Sequence, residues 1–349
     1  MRINAHGHIL PYPEDIPQFM KDKKVFWVDA DRSFMRQDDW SRPVTDPSFF
    51  TKEKLEWMDK NQIDHEVVLN LSQLYCNGLT RELCKDVLRF QNDFNASLQD
   101  LYPDKFTAGF VVQPAYIEDA LKEIDRCVHE LGLKVLCLPT HYLHSDGSWR
   151  SVADPSLHPI FEYANHLGLA LEIHPYDGEK IIGLADQYWR FHLIWMCAQT
   201  ADTYHMYTGL GFHDLYPKIR VCFAHGNQFG HIALGRRTQG YLGRPDLFPG
   251  ASDPRSALHA KNIFVDTLVH DVFALRLILD RSGPEQILWG LDDPYPLGEM
   301  ETVQDCYPGK LLDDAVHHQF LTKQQAADIQ HKNVLTWLYG DSPQTLHDL

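Results

Sequence analysis

Eight short runs rich in apolar and β-branched residues recur along the chain, each followed by a longer stretch with helical periodicity, and this alternation restricts the fold more than any other feature. The runs are 3–8 (INAHGH), 65–72 (HEVVLNLS), 106–113 (FTAGFVVQ), 135–141 (VLCLPTH), 169–175 (LALEIHP), 220–225 (RVCFAH), 263–270 (IFVDTLVH) and 286–292 (QILWGLD). Most are continuously apolar, the pattern of strands buried on both faces of a parallel sheet. Helical patterns lie between them near 51–61, 81–101, 116–131, 156–167, 187–214, 229–242 and 271–281, with a last helix near 322–338. Eight strand–helix units predict a closed (β/α)8 barrel of TIM type. A doubly wound open sheet is the runner-up, weakened because no G-x-G-x-x-G follows the first strand.

Residues 11–50 interrupt the rhythm with prolines at 11, 13, 17, 43 and 47 and with clustered aromatic and charged residues. They read as an insertion after strand 1 that covers the barrel mouth, within a single domain spanning 1–349. The expected setting is the cytoplasm: there is no signal-peptide pattern and no bilayer-length apolar run. The seven cysteines contain no C-x-x-C pair, which argues for reduced thiols. A net charge of −16 argues against nucleic acid as a partner, while a local arginine still allows a small anionic carboxylated substrate.

The twenty histidines gain meaning from where they fall. His6 and His8 share one face of the first strand because side chains at i and i+2 point the same way. His141, His174, His225, His270 and Asp292 close the fourth to eighth runs, where barrel strands deliver residues to the active-site face. Imidazoles with one carboxylate suit zinc, although iron or manganese could use the same donors. The assignment is His6, His8, His174 and Asp292 as ligands. A single ion is expected, because the fourth strand ends in Leu138, Pro139 and Thr140 and offers no lysine to bridge two. His225 is then the general acid or base. His141 and His270 either bind substrate or orient the ligands.

The ordered set H-G-H-I-L-P at 6–11, E-I-H-P at 172–175, K-I-R-V-C-F-A-H-G at 218–226, D-T-L-V-H-D at 266–271 and P-Y-P-L-G-E at 294–299 resembles the amidohydrolase superfamily. Within it, the chain looks most like the aminocarboxymuconate semialdehyde decarboxylases, including EIDRCVHELGLKV at 123–135 and GRRTQGYLGRPDL at 235–247. The resemblance implies a distorted barrel, one catalytic zinc and a nonoxidative decarboxylation without organic cofactor. Its ligands fall on His6, His8, His174 and Asp292, and its catalytic histidine on His225. It also implies a homodimer in which Arg236 reaches a carboxylate in the neighbouring subunit. The implied substrate is 2-amino-3-carboxymuconate 6-semialdehyde, from tryptophan and kynurenine breakdown.

Three places depart from that pattern. Trp27, in KVFWV at 24–28, stands where a substrate-binding arginine is expected, with Arg32 and Arg36 as nearby replacements. Asn227 and Gln228 follow the catalytic histidine in place of glycines, with His231 close behind, and Asp293 replaces an aromatic residue after the ligand Asp292. Asp293 either tunes the site or faces solvent. Tyr176 is a candidate for stacking on a conjugated substrate, and the aromatic run 187–195 (QYWRFHLIW) reads as interface packing. Two other functions compete: a metal-dependent hydrolase or hydratase of a conjugated acid or lactone using the same site, and a silent metal-binding protein.

Overall fold

The computed structural model describes residues 1–340. Its eight parallel strands are β1 (Ile3–Gly7), β2 (His65–Val68), β3 (Phe106–Val111), β4 (Val135–Pro139), β5 (Ala170–His174), β6 (Arg220–Phe223), β7 (Ile263–Asp266) and β8 (Ile287–Leu288). Each pairs with the next in chain order. The sheet closes on itself where Gly7 bridges Asp293 in parallel and Ala5 N donates to Trp289 O at 2.7 Å. This is the expected (β/α)8 barrel. Every residue of β1, β3, β4 and β5 is buried, as expected of strands covered on both faces.

Helices return the chain between strands and supply the outer layer. The one over Arg81–Leu101 begins where the Thr80 side chain accepts from Leu83 N, and it buries Cys84, Val87 and Leu88. The last helix, Lys332–Tyr339, packs at the strands' amino ends, with Trp337 Nε1 donating to Arg220 O at 3.0 Å. The C-terminal helix expected over 322–338 is two pieces, Lys323–Ile329 and Lys332–Tyr339. His331, between them, has ψ −77° and is not helical. The final nine positions of the expected 1–349 domain lie outside the described residues.

The insertion has its own architecture. A short helix, Gln18–Asp22, leads into a three-stranded antiparallel sheet of Trp27–Val28, Phe34–Gln37 and Trp40–Pro43. The expected helix over 187–214 starts late and is broken: residues 184–189 are irregular, Phe191–Trp195 is a single π-helical stretch, and regular helix runs over Met196–Gly209 and again over Phe212–Leu215. Tyr188 and Trp189 have φ of 53° and 57°, which a regular helix does not admit.

Candidate metal centre

Barrel geometry brings five of the strand-end residues together. The ligand atoms of His6, His174, His225 and Asp292 all lie within 4.8 Å of one another. His8 Nε2 approaches Asp292 Oδ1 to 3.3 Å, His6 Nε2 to 3.6 Å, and His225 Nε2 comes within 3.8 Å of Asp292 Oδ2. Gly7 stands between His6 and His8 because a Cβ there would strike the Glu66 carboxyl. His6 Nε2, His8 Nε2 and both nitrogens of His174 are buried without a hydrogen-bond partner. Buried polar atoms are normally satisfied, so four unpartnered imidazole nitrogens beside one carboxylate fit a divalent metal ion.

The electrostatics agree with that donor set. Burial, together with the neighbouring histidines, drives His174 well below its usual range, and burial lowers His8 and His225. These rings are therefore neutral at neutral pH, the state in which imidazole binds metal. Burial opposes charge on Asp292, yet His8, His6 and His225 keep it below the ordinary carboxylate range. His6 differs: burial is outweighed by Asp266, Asp292 and Glu172, which raise it to about 9.

Asp266, at the end of β7, is a functional residue the sequence reading missed. Its Oδ2 lies 2.9 Å from His6 Nδ1 and also accepts from His225 N at 3.0 Å, while Oδ1 accepts from Gly226 N and Leu268 N. This acceptor holds a proton of His6 on Nδ1, so Nε2 is the nitrogen an ion would take, displacing the second proton that the raised His6 ring carries at neutral pH. The available signal was the run D-T-L-V-H-D at 266–271.

Above this layer is a cleft lined by Arg42, Tyr176, Trp189, His192, Gln228 and Tyr295, with His174, His225 and Asp292 at its floor. Tyr176 and His270 both line the cleft. His141 does not line it and pairs with Asp202 at 3.0 Å. Arg236 is exposed on the helix Leu234–Gly243 and does not reach this chain's own cleft. Trp27 pairs across the insertion sheet with Arg36 and lies off the cleft. Neither suggested replacement lines the cleft: Arg36 is bound bidentately to Asp29, and Arg32 stacks on Tyr12 and Phe50 near Glu53. The arginine of the mouth is Arg42, which contacts His192 Nε2 and sits 5.6 Å from the Tyr295 ring. Burial and Arg42 lower His192 to about 4.

The other departures separate in the same way. Gln228 lines the cleft, but Asn227 is buried behind it against Gly230. Asp293 does not face solvent; it is fully buried and bound by Lys54 and Asn4. Of the run 187–195, Trp189, His192 and Leu193 face the cleft, so part of it belongs to the site.

A parallel barrel that gathers imidazoles and one carboxylate at the carboxyl ends of its strands defines a class of metal-holding barrel proteins. The amidohydrolase family model matches residues 3–334, and the chain belongs to that family. A 2-amino-3-carboxymuconate-6-semialdehyde decarboxylase from Dictyostelium discoideum is 27% identical over 334 residues, covering 93% of this chain and 88% of that protein. Among solved structures, 5-carboxyvanillate decarboxylase from Sphingomonas paucimobilis superposes with a TM-score of 0.74 at 21% identity, covering 97% of this chain and 98% of that one. A dihydroxybenzoic acid decarboxylase from Polaromonas, whose structure carries bound manganese, has a TM-score of 0.71 at 14% identity and covers 96% of each chain.

Proposed function

We propose that the protein is a metal-dependent, nonoxidative decarboxylase of 2-amino-3-carboxymuconate 6-semialdehyde or a close carboxylated analogue, within tryptophan catabolism. The observation that carries this reading is a cationic arginine, Arg42, at the mouth of a cleft whose floor combines unpartnered imidazoles with Asp292. The named relatives support the reaction class.

His6, His8, His174 and Asp292 would hold the ion, a single zinc by preference of three imidazoles and one carboxylate. Bound there, it supplies Lewis acidity beside the reacting carbon. In this reading His225, whose ligand atom lies within 4.8 Å of those of His6, His174 and Asp292, is kept for proton transfer, and His8 takes the fourth ligand place beside Asp292 at 3.3 Å. Arg42 anchors a carboxylate and orients the conjugated chain across the floor. A proton drawn from solvent water through His225 Nε2 and passed to the carbon bearing the departing carboxylate interrupts conjugation. The C–C bond then breaks, its electron pair restores the conjugated system, carbon dioxide leaves and one proton is consumed. No organic cofactor is needed, because the substrate itself accepts the electron pair.

The working unit is a homodimer in this reading. Arg236 is exposed, and in the same stretch of chain Ile232, Leu242 and Leu247 are each more than half exposed, apolar surface that a second copy could cover. The cytoplasm is the proposed location; no helix among the described residues is long and apolar enough to cross a membrane.

The test follows the ultraviolet absorbance of enzymatically generated 2-amino-3-carboxymuconate 6-semialdehyde over zinc-loaded protein, with direct detection of carbon dioxide. Accelerated loss with stoichiometric carbon dioxide is expected. No acceleration at full metal occupancy overturns this substrate and directs the search to other carboxylated or hydrolysable conjugated acids.

A further inference from the structure

The seam between β8 and β1 contains a charged cluster that the proposed reaction does not use. Lys54, from the helix Thr51–Lys60 that follows the insertion, is fully buried between the carboxylates of Asp293 and Glu66, with Nζ 3.2 Å from Glu66 Oε1. Asn4 completes the cluster, its Nδ2 donating to Glu66 Oε2 at 3.0 Å and to Asp293 Oδ1 at 2.6 Å. All four side chains are 0% exposed. A buried ion cluster is a poor device for stability alone, because desolvation consumes most of its Coulombic gain.

What the cluster grips is the backbone of the ion-holding layer. Asn4 Oδ1 accepts from His6 N and from Leu291 N, both at 3.1 Å. The Asp293 carbonyl accepts from His8 N at 2.8 Å, and Asp292 N donates to His6 O at 2.8 Å. The peptides of residues 6, 8, 291 and 293 are thus tied together around Asp292, which is held at φ 51°, a backbone region that non-glycine residues rarely occupy. Ladder pairing does less here, since β8 contributes only Ile287 and Leu288 to its ladder with β7.

We infer that the Lys54–Asp293 pair is a positioning device that fixes Asp292 at the spacing from His6 and His8 that a divalent ion requires. The inference rests on the metal reading above. Lys54 and Asp293 are positioning residues, acting through Asp292.

Cobalt(II) titration of the metal-free protein tests it, because the d–d absorption reports ligand geometry independently of turnover. Asp293→Asn preserves shape and removes the charge that Lys54 grips. The expected result is cobalt binding weakened at least tenfold and a displaced absorption band, with unchanged circular dichroism. Lys54→Met shifts both in the same direction where it folds; where it does not, Asp293→Asn decides. Cobalt affinity within twofold of the parent and an unchanged band in Asp293→Asn overturn the inference, whatever happens to the melting temperature. A parent protein that binds no cobalt overturns the metal reading instead.

Discussion

Asp266 Oδ2 lies 2.9 Å from His6 Nδ1, and this buried contact decides which nitrogen of His6 faces the ion site. In Asp266→Asn the amide can turn its NH2 toward the ring, which favours the opposite tautomer and places a proton where a ligand lone pair is needed. Metal affinity should fall about 10- to 100-fold, the usual cost of removing such a partner. Metal content after dialysis against a chelator of known affinity measures it.

His225→Asn should separate binding from chemistry. The variant keeps a polar group on the cleft floor but cannot exchange a proton near neutral pH, so turnover should fall by about 10²- to 10⁴-fold. Its metal content should match the parent. A parallel loss of metal would place His225 among the ligands.

Arg42→Ala should raise KM for a carboxylated substrate by about 10- to 100-fold, the scale of one charge-assisted hydrogen-bonded pair. Arg42→Lys should recover little of this, since an ammonium lacks the planar fork. Arg36→Ala is the control: its guanidinium is engaged by Asp29, so steady-state kinetics should hardly change.

Chelation should abolish turnover, and a divalent transition metal should restore it. The metal-free protein should also melt at a lower temperature, because an ion bound only by the folded state stabilises it by mass action. Calorimetry with and without the ion measures the shift.

His65 provides a test of pH-dependent stability away from the ion site. Burial lowers it to about 4, with Nδ1 near Asp104 O and Nε2 2.8 Å from Thr107 Oγ1. The unfolded chain binds a proton near pH 6.5, so below that pH it holds more protons at this residue than the folded chain. The stability conferred by His65 is fully present above pH 6.5 and is lost as pH falls toward 4. The advantage of the parent over His65→Gln should therefore shrink on acidification, by about 1.4 kcal/mol per pH unit across that window. Denaturant melts of both proteins at pH 7 and pH 5 measure the difference.

Strand periodicity and strand ends together specify a face and a height, so His6, His8, His174, His225 and Asp292 could be placed at one end of the barrel without knowing any contact. Other residues could not. Asp266 and Asp271 lie in one motif, yet the first orients His6 while the second caps the helix Val272–Ser282. Only the strand boundary distinguishes them. Asp293 finds its counter-ion 239 positions away in Lys54, beyond any local pattern. Trp27 and Arg42 exchanged significance because both sit in two- to four-residue strands, whose pairing register decides which side chains face the mouth.

The three-stranded sheet that carries Arg42 forms its own ladder, separate from the eight-stranded barrel. This makes the protein modular in an evolutionary sense. A drift in the hairpin between Phe34 and Pro43 can retune which acids are admitted while leaving the strand ends that assemble the reactive floor untouched, so new substrate preferences can arise without re-inventing the catalyst.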